Sequence, residues 1–277
     1  MITLLDGPVG TELLARGVPT PIPLWSAAAI TTAPEVLGQI HAEYAHAGAT
    51  VHTANTFRTK RRQVGADWEL LARRAVAIAR AAVPAGHRVA GSIAPLEDCY
   101  SPQLSPRHCR PEHRELARAL ADAGADILLC ETFPHVGEAL VAVEESVSTG
   151  VATWASFTAG PDASLLTPVQ VREAAKAAIA AGASAVLINC VPASVTLAYV
   201  HALSGLGVPF GAYANAGSPE ESMGWAALPG APDLYVAQAE HWIAAGASLV
   251  GSCCGTGPAH VAALAKRFGS APSGRFA

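Results

Sequence analysis

Cys253 and Cys254 stand side by side in Gly251-Ser252-Cys253-Cys254-Gly255-Thr256, directly after the strand-like run 247–250. Adjacent thiols at a strand end can reach one metal ion, and the flanking glycines let the backbone bend towards it. Cys190 offers a third soft ligand, at the end of a second apolar run, Ala185-Val186-Leu187-Ile188-Asn189-Cys190. Three thiolates from two strand ends leave the fourth position of a Zn2+ ion open, and an open position marks a catalytic zinc rather than a structural one. The Cys-x-x-Cys spacing of thiol oxidoreductases is absent, which weighs against a redox role.

The elements that must carry these residues alternate along the chain. Strand-like runs fall at 2–6, 50–53, 89–93, 127–131, 152–157, 185–190, 208–213 and 248–251. Most are apolar throughout, as strands buried on both faces are. Alanine-rich segments with helical spacing, such as 111–123 and 167–181, lie between them. Ala47-Gly48-Ala49, Ala123-Gly124-Ala125, Ala181-Gly182-Ala183 and Ala245-Gly246-Ala247 each close a helix and open a strand. Glycine there supplies the left-handed residue that ends a helix. The reading is an α/β chain forming a (β/α)8 TIM barrel, one domain over 1–270 with a solvated tail at 271–277. An open doubly wound sheet is the alternative, since pattern alone does not show closure.

Polar residues gather where these runs end. Asp6, Gly10 and Thr11 follow the first, Asn55 the second, Glu131 the fourth and Asn215 the seventh. In a β/α barrel that edge carries the reactive groups. Carboxylates and amides in apolar surroundings call for a polar ligand. Each also has a plainer reading: Asp6 and Glu131 as helix caps, Asn55 as a turn residue. Cys130 reads as a small core residue, and Cys99 and Cys109 as exposed loop thiols. Arg58, Lys60, Arg61 and Arg62 read as a solvated helix start. The ten histidines show no paired metal-site spacing.

Composition limits the partners. Of 277 residues 51% are apolar and 14% charged, with a formal net charge of −4. That suits a large buried core and gives no electrostatic footprint for nucleic acid. No apolar run reaches the roughly 18 residues of a membrane span. The first residues lack the basic and long apolar regions of a signal peptide, so a cytoplasmic protein with reduced thiols is expected.

These motifs, in this order, resemble the homocysteine S-methyltransferase family. The matching pieces are Asp6-Gly7, Gly10-Thr11-Glu12-Leu13, Leu24-Trp25-Ser26-Ala27, Ala54-Asn55-Thr56-Phe57, Val89-Ala90-Gly91-Ser92, Glu131-Thr132-Phe133, Asn189-Cys190 and the Cys253-Cys254 turn. The resemblance implies a zinc-dependent barrel that methylates homocysteine to methionine, with Cys190, Cys253 and Cys254 as zinc ligands. It places Asp6 and Glu131 against the amino acid part of homocysteine and Asn215 near the metal. Backbone amides near Gly10 and Thr11 are assigned to its carboxylate. A cationic donor suits Trp25, Glu97 and Asp98, through cation–π contact and Coulomb attraction.

One departure concerns the donor side. After Gly91-Ser92 the family continues with a glycine-proline-aromatic-glycine turn, whereas this chain has Ile93-Ala94-Pro95-Leu96-Glu97-Asp98-Cys99-Tyr100. S-methylmethionine is the favoured donor and S-adenosylmethionine the second. The alternatives are another thiol or selenol acceptor, betaine as donor, or a zinc- or homocysteine-binding protein without turnover. With no room for an oligomerising extension, a monomer or loose homodimer is expected.

Overall fold

The computed structural model describes residues 1–225 and 228–269. The proposed tail 271–277 lies outside the described residues. Eight strands run in chain order: β1 (Thr3–Leu4), β2 (Val51–Ala54), β3 (Arg88–Ile93), β4 (Ile127–Phe133), β5 (Ala152–Phe157), β6 (Ala185–Pro192), β7 (Phe210–Asn215) and β8 (Leu249–Ser252). All pair in parallel, in the order β1-β8-β7-β6-β5-β4-β3-β2. The two ends of that order meet. Leu5 bridges Val51, and the Asp6 amide donates to the Val51 carbonyl at 3.0 Å. The fold is therefore a TIM barrel rather than an open sheet.

Alternation along each strand sorts the core into two parts. Leu5, Val51, Ala90, Ile127, Leu129, Leu187, Tyr213 and Leu249 pack together inside the barrel. Leu128, Cys130, Val186 and Ile188 face the surrounding helices. Cys130 is buried there, as the sequence predicts.

The alanine–glycine–alanine junctions end helices as expected. At the helix Arg110–Asp122, Gly124 has a φ of 84° and the Ala125 amide donates to the Leu120 carbonyl at 3.1 Å. The same bond recurs from Ala49 to Tyr44, Ala183 to Ala178 and Ala247 to Trp242. Each returns the chain directly into the next strand. No described helix is long and apolar enough to cross a membrane.

Candidate active site

Alternation along β6 would point Cys190 outward, beside Val186 and Ile188. Its register with β7 shifts between Asn189 and Pro192, and Cys190 has a φ of 52°. This bulge re-aims the sulfur into the cavity at the barrel mouth. Cys253 and Cys254 follow β8 in a loop tied to β7: the Cys253 amide donates to the Ala214 carbonyl at 2.8 Å, and the Ala216 amide to the Cys254 carbonyl at 2.9 Å.

The three sulfurs lie within 4.8 Å of one another, with Cys190 and Cys253 2.6 Å apart and Cys253 and Cys254 4.0 Å apart. Two tetrahedral bonds of about 2.3 Å separate their sulfurs by roughly 3.8 Å, so one ion can meet all three with small side-chain adjustments. Hydrogen bonds from Cys190 and Cys253 hold the Cys254 thiol well below the usual range, so the cluster favours a thiolate. A donor set of three soft sulfurs, with no fourth side-chain ligand among the described residues, fits a metal site with an open position.

Glu131 lies on the inward face of β4, continuing Ile127 and Leu129. It accepts hydrogen bonds from the Ser92 hydroxyl and, at 2.9 Å, from the Tyr213 hydroxyl. Asp6 accepts from the Thr53 amide at 2.8 Å and the Thr53 hydroxyl at 3.1 Å. Burial raises the pKa of both, and the charge of Glu131 raises Asp6 further. Neither carboxylate forms an ion pair among the described residues. Both line the same cavity of about 320 Å³ as the cysteines. Two buried carboxylates there favour a cationic group between them.

The other assigned residues divide. Trp25 and Asn55 line the cavity. Trp25 meets Phe57 edge to face at 6.2 Å between ring centroids. Gly10 also lines it, with the Trp25 indole seated where a Cβ would stand. Asn55 donates to the Ser26 carbonyl at 2.7 Å, tying the segment that carries Trp25 to the end of β2. Thr11 and Asn215 are not cavity-lining. The Thr11 hydroxyl is buried without a partner, and Asn215 accepts from the Gly217 amide at 2.8 Å to shape the turn after β7.

The loops after β2 and β3 overturn three expectations. Cys99 and Cys109 are buried, at 9% and 5% exposure: Cys99 lines the cavity at the barrel mouth, and Cys109 packs away from it, beside Glu138. Asp98, Cys99 and Tyr100 line the cavity, while Glu97 pairs with Arg62 on the surface. The basic run is not a uniformly solvated helix start. Arg61 and Arg62 are matched by surface glutamates, Arg58 lines the cavity, and Lys60 is 2% exposed. The Lys60 ammonium donates to the Pro95 carbonyl. Burial pushes its pKa down to about 7. At the next peptide, the Leu96 amide donates to Glu138 at 2.7 Å, and Ser105 and His113 bond the same carboxylate.

Ser92 and Tyr213 join the cavity without having been given a role, Tyr100 joins it from the departing loop, and Arg58 joins it against its reading as solvated. Ser92 and Tyr213 sit two or fewer residues from marked strand ends, and inward alternation was the available signal.

The comparisons with known proteins agree with this geometry. The model of the family described as homocysteine S-methyltransferase matches residues 3–268. The chain belongs to the homocysteine S-methyltransferase family. It is 32% identical over 297 residues to a homocysteine S-methyltransferase of Escherichia coli (strain K12), covering 96% of this chain and 95% of that one. A selenocysteine Se-methyltransferase of Brassica oleracea var. italica is 26% identical over 307 residues, with 96% and 88% covered. The crystal structure of the metallated homocysteine methyltransferase MmuM from Escherichia coli superposes with a TM-score of 0.80 at 30% identity, covering 96% of both chains. The cysteine cluster of this homocysteine S-methyltransferase family enzyme is accordingly its candidate metal site.

Proposed function

We propose that this enzyme transfers a methyl group from a sulfonium donor, S-methylmethionine before S-adenosylmethionine, to the thiolate of homocysteine, giving methionine. The observation that carries the reading is the convergence of Cys190, Cys253 and Cys254 with two buried, unpaired carboxylates in one cavity.

Cys190, Cys253 and Cys254 would hold Zn2+, whose charge would favour the thiolate form of the acceptor at neutral pH. Glu131, held by Ser92 and Tyr213, and Asp6, held by Thr53, receive the homocysteine ammonium. Trp25 and Phe57, which line the cavity, offer aromatic ring faces to the sulfonium. The thiolate sulfur bonds to the methyl carbon as the donor's carbon–sulfur bond breaks, and that electron pair returns to the donor sulfur. A cation and an anion become two neutral thioethers, a charge change that a water-poor cavity favours.

Homocysteine's oxidation-free assay on reduced, zinc-loaded protein tests this, with S-methylmethionine, S-adenosylmethionine and betaine offered in turn. Methionine should form with a sulfonium donor. Formation with betaine alone, or with no donor despite bound zinc, would overturn the reading. A selenol acceptor is the second reading, favoured by the similarity to a selenocysteine Se-methyltransferase. Parallel assays with selenocysteine separate the two.

A further inference from the structure

We propose that Arg58 and Asp98 form a recognition pair for the zwitterionic head of an α-amino acid methyl donor, Arg58 taking its carboxylate and Asp98 its ammonium. The inference rests on the methyl-transfer reading above and names the donor's chemical class.

Both side chains line the cavity that contains the three cysteines. Arg58 follows Phe57 at the end of β2, its guanidinium carbon 5.9 Å from the Phe57 ring centroid. Its Nε is buried with no hydrogen-bond partner, and Arg58 forms no ion pair among the described residues. Arg61 and Arg62, close by in sequence, are each matched by glutamates. A buried guanidinium N–H without an acceptor is costly, and a planar fork suits a carboxylate. Arg58 therefore has the chemistry and position of an anion site facing the cavity.

Asp98 supplies the opposite charge. It accepts from the Tyr100 amide at 3.0 Å and the Ser101 hydroxyl at 3.1 Å, which fixes its orientation. No cation pairs with it among the described residues, and no ion pair joins it to Arg58. Its neighbour Glu97 is already engaged by Arg62. The backbone behind Asp98 is fixed at successive peptides, by Lys60 at Pro95 and Glu138 at Leu96. The loops after the adjacent strands β2 and β3 thus present on one wall of the cavity a cation and an anion, neither with an ion-pair partner among the described residues.

A sulfonium-bearing α-amino acid matches that wall. Its carboxylate and ammonium meet Arg58 and Asp98 while its sulfonium lies towards Trp25 and Phe57. Betaine has a carboxylate but no N–H, so it would satisfy Arg58 alone. Asp6, after β1 and held by Thr53, and Glu131, on β4 and held by Ser92, lie in the same cavity at the strand ends rather than on these loops, and remain for the acceptor.

The test is calorimetric binding of S-methylmethionine to zinc-loaded protein without acceptor, together with steady-state kinetics. Arg58→Met should weaken binding about ten- to a hundred-fold and raise the donor KM alike, leaving the homocysteine KM unchanged. Arg58→Lys should recover part of the loss, and Asp98→Asn should weaken binding in the same direction. The methyl ester of S-methylmethionine lacks the carboxylate charge. Wild type should discriminate acid from ester, and Arg58→Met should not. Equal discrimination by both proteins, a raised homocysteine KM in place of the donor's, or no binding to wild type overturns the pair. Binding through Arg58 without methyl transfer to homocysteine upholds the pair and sinks the acceptor reading.

Discussion

Asn189 grips Thr132 by two hydrogen bonds. Its Oδ1 accepts from the Thr132 amide at 3.0 Å, and its Nδ2 donates to the Thr132 hydroxyl at 2.7 Å. Thr132 has a φ of 60° and Cys190, the residue after Asn189, a φ of 52°. The register of β4 against β5 shifts between Cys130 and Phe133, so both strands bulge where they meet the cavity. Backbone in this region is strained for residues with a Cβ and persists only where its surroundings hold it. The Asn189–Thr132 pair helps hold it here, together with the Ser156 hydroxyl, which donates to the same Asn189 oxygen at 2.8 Å.

Asn189→Ala should therefore cost about 1–3 kcal/mol of stability and also lower zinc affinity, because Cys190 loses its fixed direction. Denaturant unfolding and metal analysis check the two effects separately. Lost stability with undiminished zinc affinity would show that the bulge positions Cys190 without Asn189.

Glu131→Gln keeps the shape and removes the charge. It should raise the homocysteine KM by about ten-fold or more, and Asp6→Asn should act in the same direction. Steady-state kinetics with varied acceptor decide this, and unchanged acceptor KM in both variants contradicts the assignment.

Gly10→Ala places a methyl group where the Trp25 indole sits. The ring must move or the helix Val9–Ala15 must shift, at a cost of about 1–3 kcal/mol. The donor KM should rise more than the acceptor KM. Quenching of tryptophan fluorescence by donor, reduced in the variant, gives an independent check.

Acid should weaken the fold through His41. Both its ring nitrogens are buried without partners, and burial lowers its pKa from 6.5 to about 4. His52 is lowered too, by burial first and then by His41 and His87. A lowered pKa in the folded chain means the unfolded chain binds more protons, so stability is lost as pH falls from about 6.5 towards 4. His41 alone accounts for on the order of 3 kcal/mol across that window. Urea midpoints between pH 7 and pH 5 should fall, and His41→Leu should flatten the slope. A slope unaltered by that change would rule His41 out.

The barrel was legible because strand burial and helix ending leave local marks. The run 152–157 matches β5 residue for residue, and Gly124 ends its helix as its neighbours imply. The cysteine trio was legible from residue type and position. The aim of Cys190 was not, since strict alternation points it outward and only the bulge turns it in. Lys60 misled for a different reason. A charged run reads as solvated, but the carbonyl that receives its ammonium belongs to Pro95, 35 residues away. Cys99 is buried and Arg58 faces the cavity through the same long-range loop packing, which local composition does not encode.

Zinc titration into chelator-treated, reduced protein, with methyl transfer from S-methylmethionine to homocysteine followed at each addition, tests the central claim most directly. Turnover should rise in proportion to bound zinc, saturate at one equivalent, and be lost with zinc binding in Cys254→Ser. Full turnover in the chelated protein, or in Cys254→Ser without metal, would contradict the account.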